Sequence, residues 1–235
     1  MGGVLHGLDP GLQRLVDATR LHDSVIRALY GHAMNRVVAL VAAACLAALA
    51  TSTAAAAPAE VSRVTFVGDS VPASIRYAPV ARRQLRRGFR VNLDLRVCRR
   101  LVEPSCTFQG ATPTTALQAV QGYGRSLGDV LIVNVGYNES PQGYRQGIDR
   151  VMRAALAQGA RGVVWVTLRE TRSMYHRTNM EIQAAAARWP QLVVADWNAH
   201  ASGHAWFGRD GLHLTVTGAS ELATFLRRHV QQALA

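Results

Sequence analysis

The sequence predicts an α/β protein in which helices cover both faces of a five-stranded parallel sheet. From residue 61 to the C-terminus, short apolar runs rich in β-branched residues alternate with longer segments of helical periodicity. Alternating strands and helices build right-handed crossovers, and sheets made from such crossovers are parallel and buried on both faces. We therefore expect a doubly wound sheet with the strand order 2-1-3-4-5.

The individual strands and helices follow from this pattern in chain order. The predicted strands cover residues 61–67, 89–97, 129–135, 162–168 and 192–196. The predicted helices cover residues 71–87, 113–123, 142–158, 178–189 and 217–234. Pro113 is expected at the first position of its helix, where no N–H is needed, and Gly159 is expected to end the following helix.

The N-terminal residues 1–57 differ in character from the rest of the chain. Residues 34–57 combine a basic start, an unbroken apolar run over residues 37–50 and small residues before a proline, which is the pattern of a secretory signal peptide. The apolar run is short for a membrane span, so an uncleaved anchor helix is the less favoured alternative. We expect residues 1–33 to be a non-native extension, translation to begin at Met34, and the folded domain to occupy residues 58–235.

Removal of such a signal peptide leaves two of the three cysteines, Cys98 and Cys106. In an exported protein, an isolated and closely spaced pair of cysteines favours a disulfide. The neighbouring residues offer no histidines or carboxylates at the spacing of metal ligands, so we expect no metal site. The predicted disulfide would close a small ring within the loop over residues 98–112.

The formal net charge of +11 comes entirely from arginine, because the chain contains no lysine. Five arginines lie on and after the first predicted helix: Arg82, Arg83, Arg86, Arg87 and Arg90. This cluster suits attraction to an anionic cell-envelope polymer such as a glycan or a teichoic acid, but a solvated helix face is the favoured interpretation. Nucleic-acid binding is not expected, because no helix-turn-helix, finger or stacking motif accompanies the charge.

One tripeptide, Gly68-Asp69-Ser70, stands where the first predicted strand turns into a helix. Open α/β sheets bind ligands at the carboxyl ends of their strands, and helix N-termini there attract negative charge. Ser70 can therefore act as a nucleophile whose own N–H meets the developing oxyanion. The same tripeptide also suits an ordinary turn with a helix cap, so the motif alone decides nothing.

Two further segments supply what an acyl-transfer serine requires. Asp210 and His213 lie three residues apart in one predicted loop, and they can serve as orienting carboxylate and general base. Asn138 follows the third predicted strand, and a side-chain amide at a strand end is a natural oxyanion donor. Because these segments follow strands of one parallel sheet, we expect them to meet Ser70 at the same edge.

Together, Gly68-Asp69-Ser70, Gly136-Tyr137-Asn138 and Asp210-Gly211-Leu212-His213 resemble blocks I, III and V of the SGNH (GDSL-type) hydrolase family. The resemblance implies a flavodoxin-like three-layer α/β/α sandwich with a five-stranded parallel sheet. It implies Ser70 as nucleophile, His213 as general base and Asp210 as the residue that orients it. It also implies Asn138 as an oxyanion donor and no cofactor.

The second family block is where this chain departs from the pattern. Family members usually carry a glycine after the second strand, whose N–H completes the oxyanion hole. Here the segment reads Cys98-Arg99-Arg100. We expect the N–H of Cys98 or Arg99 to replace that of the glycine, since any non-proline residue offers one, with Gly110 as a weaker candidate. In block III, Glu139 stands where aspartate is common.

These motifs predict a secreted serine esterase acting on O-acyl, chiefly O-acetyl, esters of a small molecule or a glycan. The segments Cys98-Arg99-Arg100 and Asp196-Trp197 also resemble the extracellular SGNH domains of peptidoglycan and polysaccharide O-acetyltransferases, so an O-acyltransferase acting on cell-envelope glycans is one alternative. A non-catalytic envelope-binding module is another, although a pure binder needs no triad. Arg169, Glu170 and Arg172 are expected either to line the substrate entrance or to pair with one another.

Overall fold

The computed structural model describes residues 61–235, which are built around one parallel sheet. Its strands are β1 (Arg63–Gly68), β2 (Arg90–Leu95), β3 (Val130–Asn134), β4 (Gly162–Val166) and β5 (Leu192–Ala195). They are ordered β2-β1-β3-β4-β5, so the predicted doubly wound architecture and its strand order are confirmed. The predicted N-terminal extension (1–33) and signal peptide (34–57) lie outside the described residues.

Helices cover both faces of this sheet. They are α1 (Ser74–Tyr77), α2 (Pro79–Leu85), α3 (Ala116–Tyr123), α4 (Tyr144–Ala157), α5 (Ser173–Ala185), α6 (Trp197–His200) and α7 (Val216–Leu234). Residues on one face, such as Phe66 and Ile132, pack with α1, α2, α6 and α7. Residues on the other face, such as Leu131 and Trp165, pack with α3, α4 and α5. Every residue of β3 and β4 is buried, which is why the side chains of these strands, apart from Asn134, are apolar on both faces of the sheet.

The first predicted helix is wrong in its extent, because the chain forms two short helices where one was expected over residues 71–87. Ala78 lies between α1 and α2 with an extended backbone (φ −106°, ψ 97°). A residue that precedes a proline avoids the helical region, and Pro79 then starts α2 in the position that suits its missing N–H. The break follows directly from the Ala78-Pro79 pair.

Two other helices begin elsewhere than predicted. Helix α3 starts at Ala116 and not at Pro113, because Thr115 and Gln118 form a capping box that satisfies the first free N–H groups. Helix α5 spans Ser173–Ala185, so it starts and ends before the predicted range 178–189. The tertiary contacts of Tyr175 and Asn179, both buried, extend this helix toward the sheet edge.

The loop after β2 is closed by the predicted disulfide between Cys98 and Cys106, whose Cα atoms lie 5.2 Å apart. The Cys106 N–H also donates to the Cys98 carbonyl at 3.3 Å. Further along, Phe108 and Ala111 form an isolated antiparallel bridge around an exposed turn that contains Gly110. Within residues 61–235, no helix is both long and apolar enough to cross a membrane.

Candidate active site

Three neighbouring strands end at the same level of the sheet, and this register determines where the motifs meet. Gly68 at the end of β1 pairs with Leu95 at the end of β2 and with Asn134 at the end of β3. The segments that follow these strands carry Ser70, Cys98 and Asn138. Because all strands are parallel, these segments emerge on one edge of the sheet.

Ser70, His213 and Asp210 form a continuous chain of hydrogen bonds at this edge. The Ser70 Oγ lies 3.1 Å from the His213 Nε2, and the His213 Nδ1 lies 2.6 Å from the Asp210 Oδ2. These distances are those expected of a nucleophile, a base and the carboxylate that orients the base. About half of the His213 side chain (46%) and of the Asp210 side chain (51%) is exposed, so a substrate can approach the imidazole from solvent.

The loop that carries His213 and Asp210 is held in shape by hydrogen bonds between the Asp210 side chain and backbone N–H groups of the same loop. The Asp210 Oδ1 accepts hydrogen bonds from the N–H groups of Leu212 and His213, each at 3.0 Å. Gly211 between them has a left-handed backbone (φ 69°), which glycine adopts without strain. An isolated bridge between Phe207 and Leu214 closes the base of the loop. We call residues 208–213 the triad loop.

The electrostatics of this loop favour an ionised carboxylate. The hydrogen bond from His213 lowers the pKa of Asp210 to about 2, and the N–H donor of Leu212 contributes in the same direction. A carboxylate that remains charged at all ordinary pH values fixes the imidazole so that Nδ1 carries a proton toward Asp210. In that tautomer Nε2 is left with a lone pair facing the Ser70 hydroxyl.

A buried carboxylate that the sequence analysis passed over ties the first and third motifs together. The Asp69 side chain is fully buried; its Oδ1 accepts from the Val71 N–H at 3.1 Å, and its Oδ2 accepts from the Gly136 and Tyr137 N–H groups at 3.2 Å. Burial raises the pKa of Asp69 to about 7, against the lowering effect of these three donors. The available signal was an acidic residue directly after a buried and largely apolar strand.

Glycines let the two motif turns approach their neighbours closely. A Cβ on Gly68 would lie 2.5 Å from Pro72 and 2.7 Å from Leu95, and a Cβ on Gly136 would lie 2.8 Å from Leu168. Each of these distances is shorter than an ordinary Cβ contact, so a side chain at either position would force the neighbouring Pro72, Leu95 or Leu168 side chain to shift. Glycine lets the two strand ends pack without that rearrangement.

The loop after β2 contributes the candidate for the third oxyanion donor. Cys98 has a left-handed backbone (φ 70°), a conformation that glycine usually provides, and it stands where the family pattern has its glycine. Of the two proposed donors, the Arg99 N–H is engaged with the Arg96 carbonyl at 3.3 Å. This engagement favours Cys98 over Arg99. Gly110, the weaker candidate, lies in the exposed turn of the same loop.

The Asn138 side chain points to this loop as well, because its amide donates to the Arg99 carbonyl at 3.2 Å. The Arg99 side chain itself is buried and bonds to Asp94 and Thr114, which anchors the loop to the end of β2. Burial lowers the pKa of Arg99, while the nearby Asp94 carboxylate favours its charged form. Arg99 is therefore a structural residue through its side chain.

Glu139, where aspartate is common in the family, also anchors the loop after β2. Its carboxylate accepts a hydrogen bond from the Leu101 N–H and lies 3.6 Å from the Arg100 guanidinium. Burial raises the pKa of Glu139, and the bond from Leu101 and the charge of Arg100 oppose that effect. The longer glutamate reaches a backbone N–H across the site, so this departure from the family pattern has a structural purpose.

The contacts of other residues at this edge show that Glu170 does not pair with Arg169 and that Asp196 and Trp206 have structural partners. Glu170 pairs with His176 at 3.0 Å and accepts from Asn179 at 2.9 Å, so it does not pair with Arg169. Asp196 caps α6 through the Ala199 N–H. Trp206 stacks on Trp197, with ring centroids 5.6 Å apart. Among residues 61–235, no group of three or more His, Cys, Asp or Glu side chains is placed to hold a metal ion.

The sheet, its layers and its connectivity are similar to those of solved esterase and acetyltransferase domains, so the fold that the motif resemblance implies is confirmed. No model of a known protein family matches the sequence, and no curated protein matches it either.

Solved structures that the chain is similar to include the catalytic domain of peptidoglycan O-acetyltransferase A from Streptococcus pneumoniae. That domain is 22% identical with a TM-score of 0.56, and the match covers 73% of this chain and 93% of the domain. A carbohydrate acetylesterase family member from Sinorhizobium meliloti is 14% identical with a TM-score of 0.55, over 73% and 98% of the two chains. The psychrotrophic esterase EstA from Pseudoalteromonas is 10% identical with a TM-score of 0.56, over 73% and 98%.

Proposed function

We propose that this protein is a serine esterase that hydrolyses O-acyl, chiefly O-acetyl, esters through an acyl-enzyme. The observation that carries the proposal is the chain of hydrogen bonds from Ser70 Oγ through His213 to Asp210, at 3.1 and 2.6 Å. A plain turn before a helix has no reason to align a hydroxyl, an imidazole and a carboxylate in this order. The arrangement is that of an activated serine nucleophile.

In the first half of the reaction, the Ser70 Oγ bonds to the ester carbonyl carbon while its proton passes to the His213 Nε2. The carbonyl oxygen becomes an oxyanion in a tetrahedral intermediate. Collapse of that intermediate breaks the bond to the alcohol oxygen, which takes the proton from His213 and leaves. In the second half, a water gives its proton to the His213 Nε2 and attacks the acyl-Ser70 carbonyl. The second tetrahedral intermediate then collapses and breaks the bond to the Ser70 Oγ, which takes the proton back from His213 as the acid leaves.

The oxyanion is stabilised by three donors: the Ser70 N–H, the Asn138 amide and the Cys98 N–H. The amide of Asn138 carries two hydrogens, and only one is needed for its bond to the Arg99 carbonyl. The other is free to meet the developing charge. Donors fixed in advance in this way supply a large share of the rate enhancement, because they need no reorganisation during the reaction.

The proposed substrate class is an O-acetyl ester carried by a sugar, which the structural neighbours support by their described activities. One is described as a carbohydrate acetylesterase family member and one as a peptidoglycan O-acetyltransferase domain. The second of these favours the alternative that the acyl group is handed to a sugar hydroxyl. The two activities share the acyl-enzyme and differ only in whether the acceptor or water attacks it.

One experiment separates these possibilities. The purified protein is incubated with 4-nitrophenyl acetate, butyrate and octanoate, with and without a glycan acceptor, while nitrophenol and acylated sugar are both measured. We expect acetate to be the best acyl group and Ser70→Ala to be inactive. Ser74→Ala is the matched control, since the Ser74 hydroxyl donates to the Val71 carbonyl and takes no part in the proposed reaction.

The possible outcomes of that experiment are distinct. Acylated sugar formed in place of free acetate identifies a transferase. Nitrophenol released equally with and without acceptor identifies a hydrolase. Neither product from the wild-type protein returns the chain to the envelope-binding module. In that case the next test would be whether the arginines on and after α2 bind an anionic envelope polymer.

We also propose that the protein is exported through the signal peptide at residues 34–57. A disulfide forms readily in an oxidising compartment and is rare in the cytosol, so the Cys98–Cys106 bond supports export. The anionic envelope polymers expected to attract the arginines of α2 would be encountered there. N-terminal sequencing of the protein recovered from culture medium and from the cell envelope tests this proposal, with Pro58 or a residue close to it expected first.

A further inference from the structure

The Arg169 guanidinium stands at the same sheet edge as the triad. Arg169 follows β4, which lies next to β3 in the sheet. The backbone N–H of Arg169 donates a hydrogen bond to the Tyr137 hydroxyl at 2.8 Å. Tyr137 directly precedes Asn138, the proposed oxyanion donor. Arg169 is therefore joined by one hydrogen bond to the turn that carries that donor.

The side chain of Arg169 reaches the other half of the site. Its guanidinium carbon lies 3.6 Å from the centroid of the Phe207 ring. Phe207 forms the bridge with Leu214 that closes the base of the triad loop, on which Asp210 and His213 stand. A guanidinium stacked on an aromatic face is held in place by the ring, and its planar edge stays open for hydrogen bonding.

No acidic residue neutralises this charge within residues 61–235. The Arg169 Nε is buried and has no hydrogen-bond partner there, and the guanidinium makes no ion pair. The adjacent Glu170 carboxylate is already bonded, through one oxygen to Asn179 and through the other to His176. Burying a donor without a partner costs free energy, so such groups in native proteins call for an explanation.

An open cavity of about 290 Å³ lies beside the guanidinium. Its lining adds small polar groups to the arginine: Thr171, Asn198 and Ser202, together with Glu170, Ala199 and Gly203. The side-chain Oδ1 of Asn198 accepts from the Glu170 backbone N–H at 2.9 Å, so the side-chain NH2 group of Asn198 remains to serve a ligand. Donors of this kind around one cation suit an anion with two acceptor oxygens.

We propose that Arg169 is the carboxylate-binding residue of the substrate site, and that the natural ester carries a carboxylate close to its acyl group. This inference rests on the proposed esterase function and names the substrate class for it. The planar fork of an arginine matches the two oxygens of a carboxylate, and stacking on Phe207 fixes the fork before binding. The carboxylate belongs either to the alcohol part, as in an acidic sugar, or to the acyl part, as in a dicarboxylic half-ester.

The test compares matched pairs of chromogenic esters. For a carboxylate on the acyl part, mono-4-nitrophenyl succinate is paired with 4-nitrophenyl butyrate. For a carboxylate on the alcohol part, 4-acetoxy-3-nitrobenzoate is paired with its methyl ester. The quantity measured is the ratio of kcat/KM for the charged ester to kcat/KM for its neutral partner, because comparing this ratio between protein variants cancels differences in intrinsic reactivity.

We expect Arg169→Met to lower that ratio by about 10- to 100-fold in one of the two pairs, chiefly through KM. Methionine keeps an unbranched apolar side chain against Phe207 and removes the guanidinium with its paired N–H donors. Arg169→Lys keeps the charge without the fork and should lose part of the preference. Arg177→Met, which removes an exposed arginine from α5, is the control and should leave both ratios unchanged.

The results distinguish failure of the carboxylate site from failure of the esterase function. If the wild-type protein hydrolyses none of the four esters, the esterase function itself fails. If it hydrolyses the neutral esters but both ratios are the same in the wild type and in Arg169→Met, the carboxylate site is wrong and the esterase stands. Should Arg169→Met fail to fold, the wild-type ratios decide: a neutral ester preferred in both pairs, after correction for alkaline hydrolysis rates, overturns the inference.

Discussion

The side-chain amide of Asn138 donates a hydrogen bond to the backbone carbonyl of Arg99 at 3.2 Å, and so joins the segment after β3 to the loop after β2. Both segments are proposed to contribute to the oxyanion hole. Their connection means that the position of one donor depends on the other. Asp69 makes a comparable connection between the segments after β1 and β3.

Removing the Asn138 amide should reduce catalysis far more than folding. Asn138→Ala is expected to lower kcat by about 10²–10³ with little change in KM, since one preorganised oxyanion donor is lost. Asn138→Asp keeps the shape but places a negative charge where one develops, so it should be at least as damaging. Steady-state kinetics with 4-nitrophenyl acetate measures the effect, and Asn92→Ala, on exposed β2, serves as control. Near wild-type kcat in a folded Asn138→Ala protein would place the amide outside the oxyanion hole.

Ser70 and His213 should behave as one unit. Each alanine variant is expected to lose esterase activity to a similar residual level, and the double variant should be scarcely worse, because either loss removes the activated nucleophile. Reaction with a sulfonyl fluoride, followed by mass spectrometry, should label Ser70 in the wild type and not in His213→Ala. A His213→Ala protein that folds and retains most of its activity would falsify the assignment.

Asp210 should matter less than either of them, and its ionisation should not limit activity. Because the hydrogen bond from His213 lowers the pKa of Asp210 to about 2, the carboxylate remains charged through the range in which imidazoles ordinarily titrate. We therefore expect no loss of kcat/KM from protonation of Asp210 between pH 4.5 and pH 8. Asp210→Ala should lower kcat/KM by less than Ser70→Ala does. Steady-state kinetics with 4-nitrophenyl acetate over this pH range measures both effects, and a loss in Asp210→Ala as large as that in Ser70→Ala would contradict the expectation.

The buried carboxyl of Asp69 should make stability depend on pH in an unusual direction. Its pKa is raised by burial to about 7 in the folded protein, whereas an unfolded aspartate releases its proton near pH 4. Between these values the folded state binds the additional proton, so the free energy of unfolding falls as the pH rises from about 4 to 7, by roughly 4 kcal/mol at most. Urea unfolding at pH 4.5 and pH 8 measures the change.

Asp69→Asn is the matched variant for that measurement. It cannot titrate, so its free energy of unfolding should vary less with pH than that of the wild type. The amide retains one acceptor oxygen, so at least one of the three N–H partners of Asp69 is lost and the variant should be less stable at pH 4.5. Equal pH dependence in the two proteins would show that Asp69 does not titrate in this range.

The disulfide and the left-handed backbone of Cys98 can be separated by mutation. Removing the bond with Cys98→Ser and Cys106→Ser should cost about 2–3 kcal/mol, as expected for so small a loop. The pair Cys98→Gly and Cys106→Ser should be about 1 kcal/mol more stable than the double serine variant, because glycine accepts a positive φ. Its kcat should also be closer to wild type, since the Cys98 N–H keeps its position. Two double variants of equal stability and kcat would show that the backbone conformation at residue 98 carries no cost.

Much of the fold was predictable because it depends on local patterns. Buried strands such as β3 and β4 must be apolar on both sides, and their alternation with amphipathic helices leaves few topologies. Helix ends were less predictable. The start of α3 depends on a capping box between Thr115 and Gln118, and the start of α5 depends on contacts of Tyr175 and Asn179 with distant loops.

For the site, the sequence by itself determined the candidate residues and their order, because Ser70, Asn138, Asp210 and His213 stand in short motifs whose residue types and spacing are local properties. Only the tertiary structure decided which groups meet. Asp69 accepts hydrogen bonds from Gly136 and Tyr137, and Glu139 accepts one from Leu101. The Arg169 guanidinium stacks on the Phe207 ring. Each of these contacts joins residues more than 35 positions apart in the sequence. Such contacts arise from the sheet register and from burial, which bring chain segments together and leave no local pattern in the sequence.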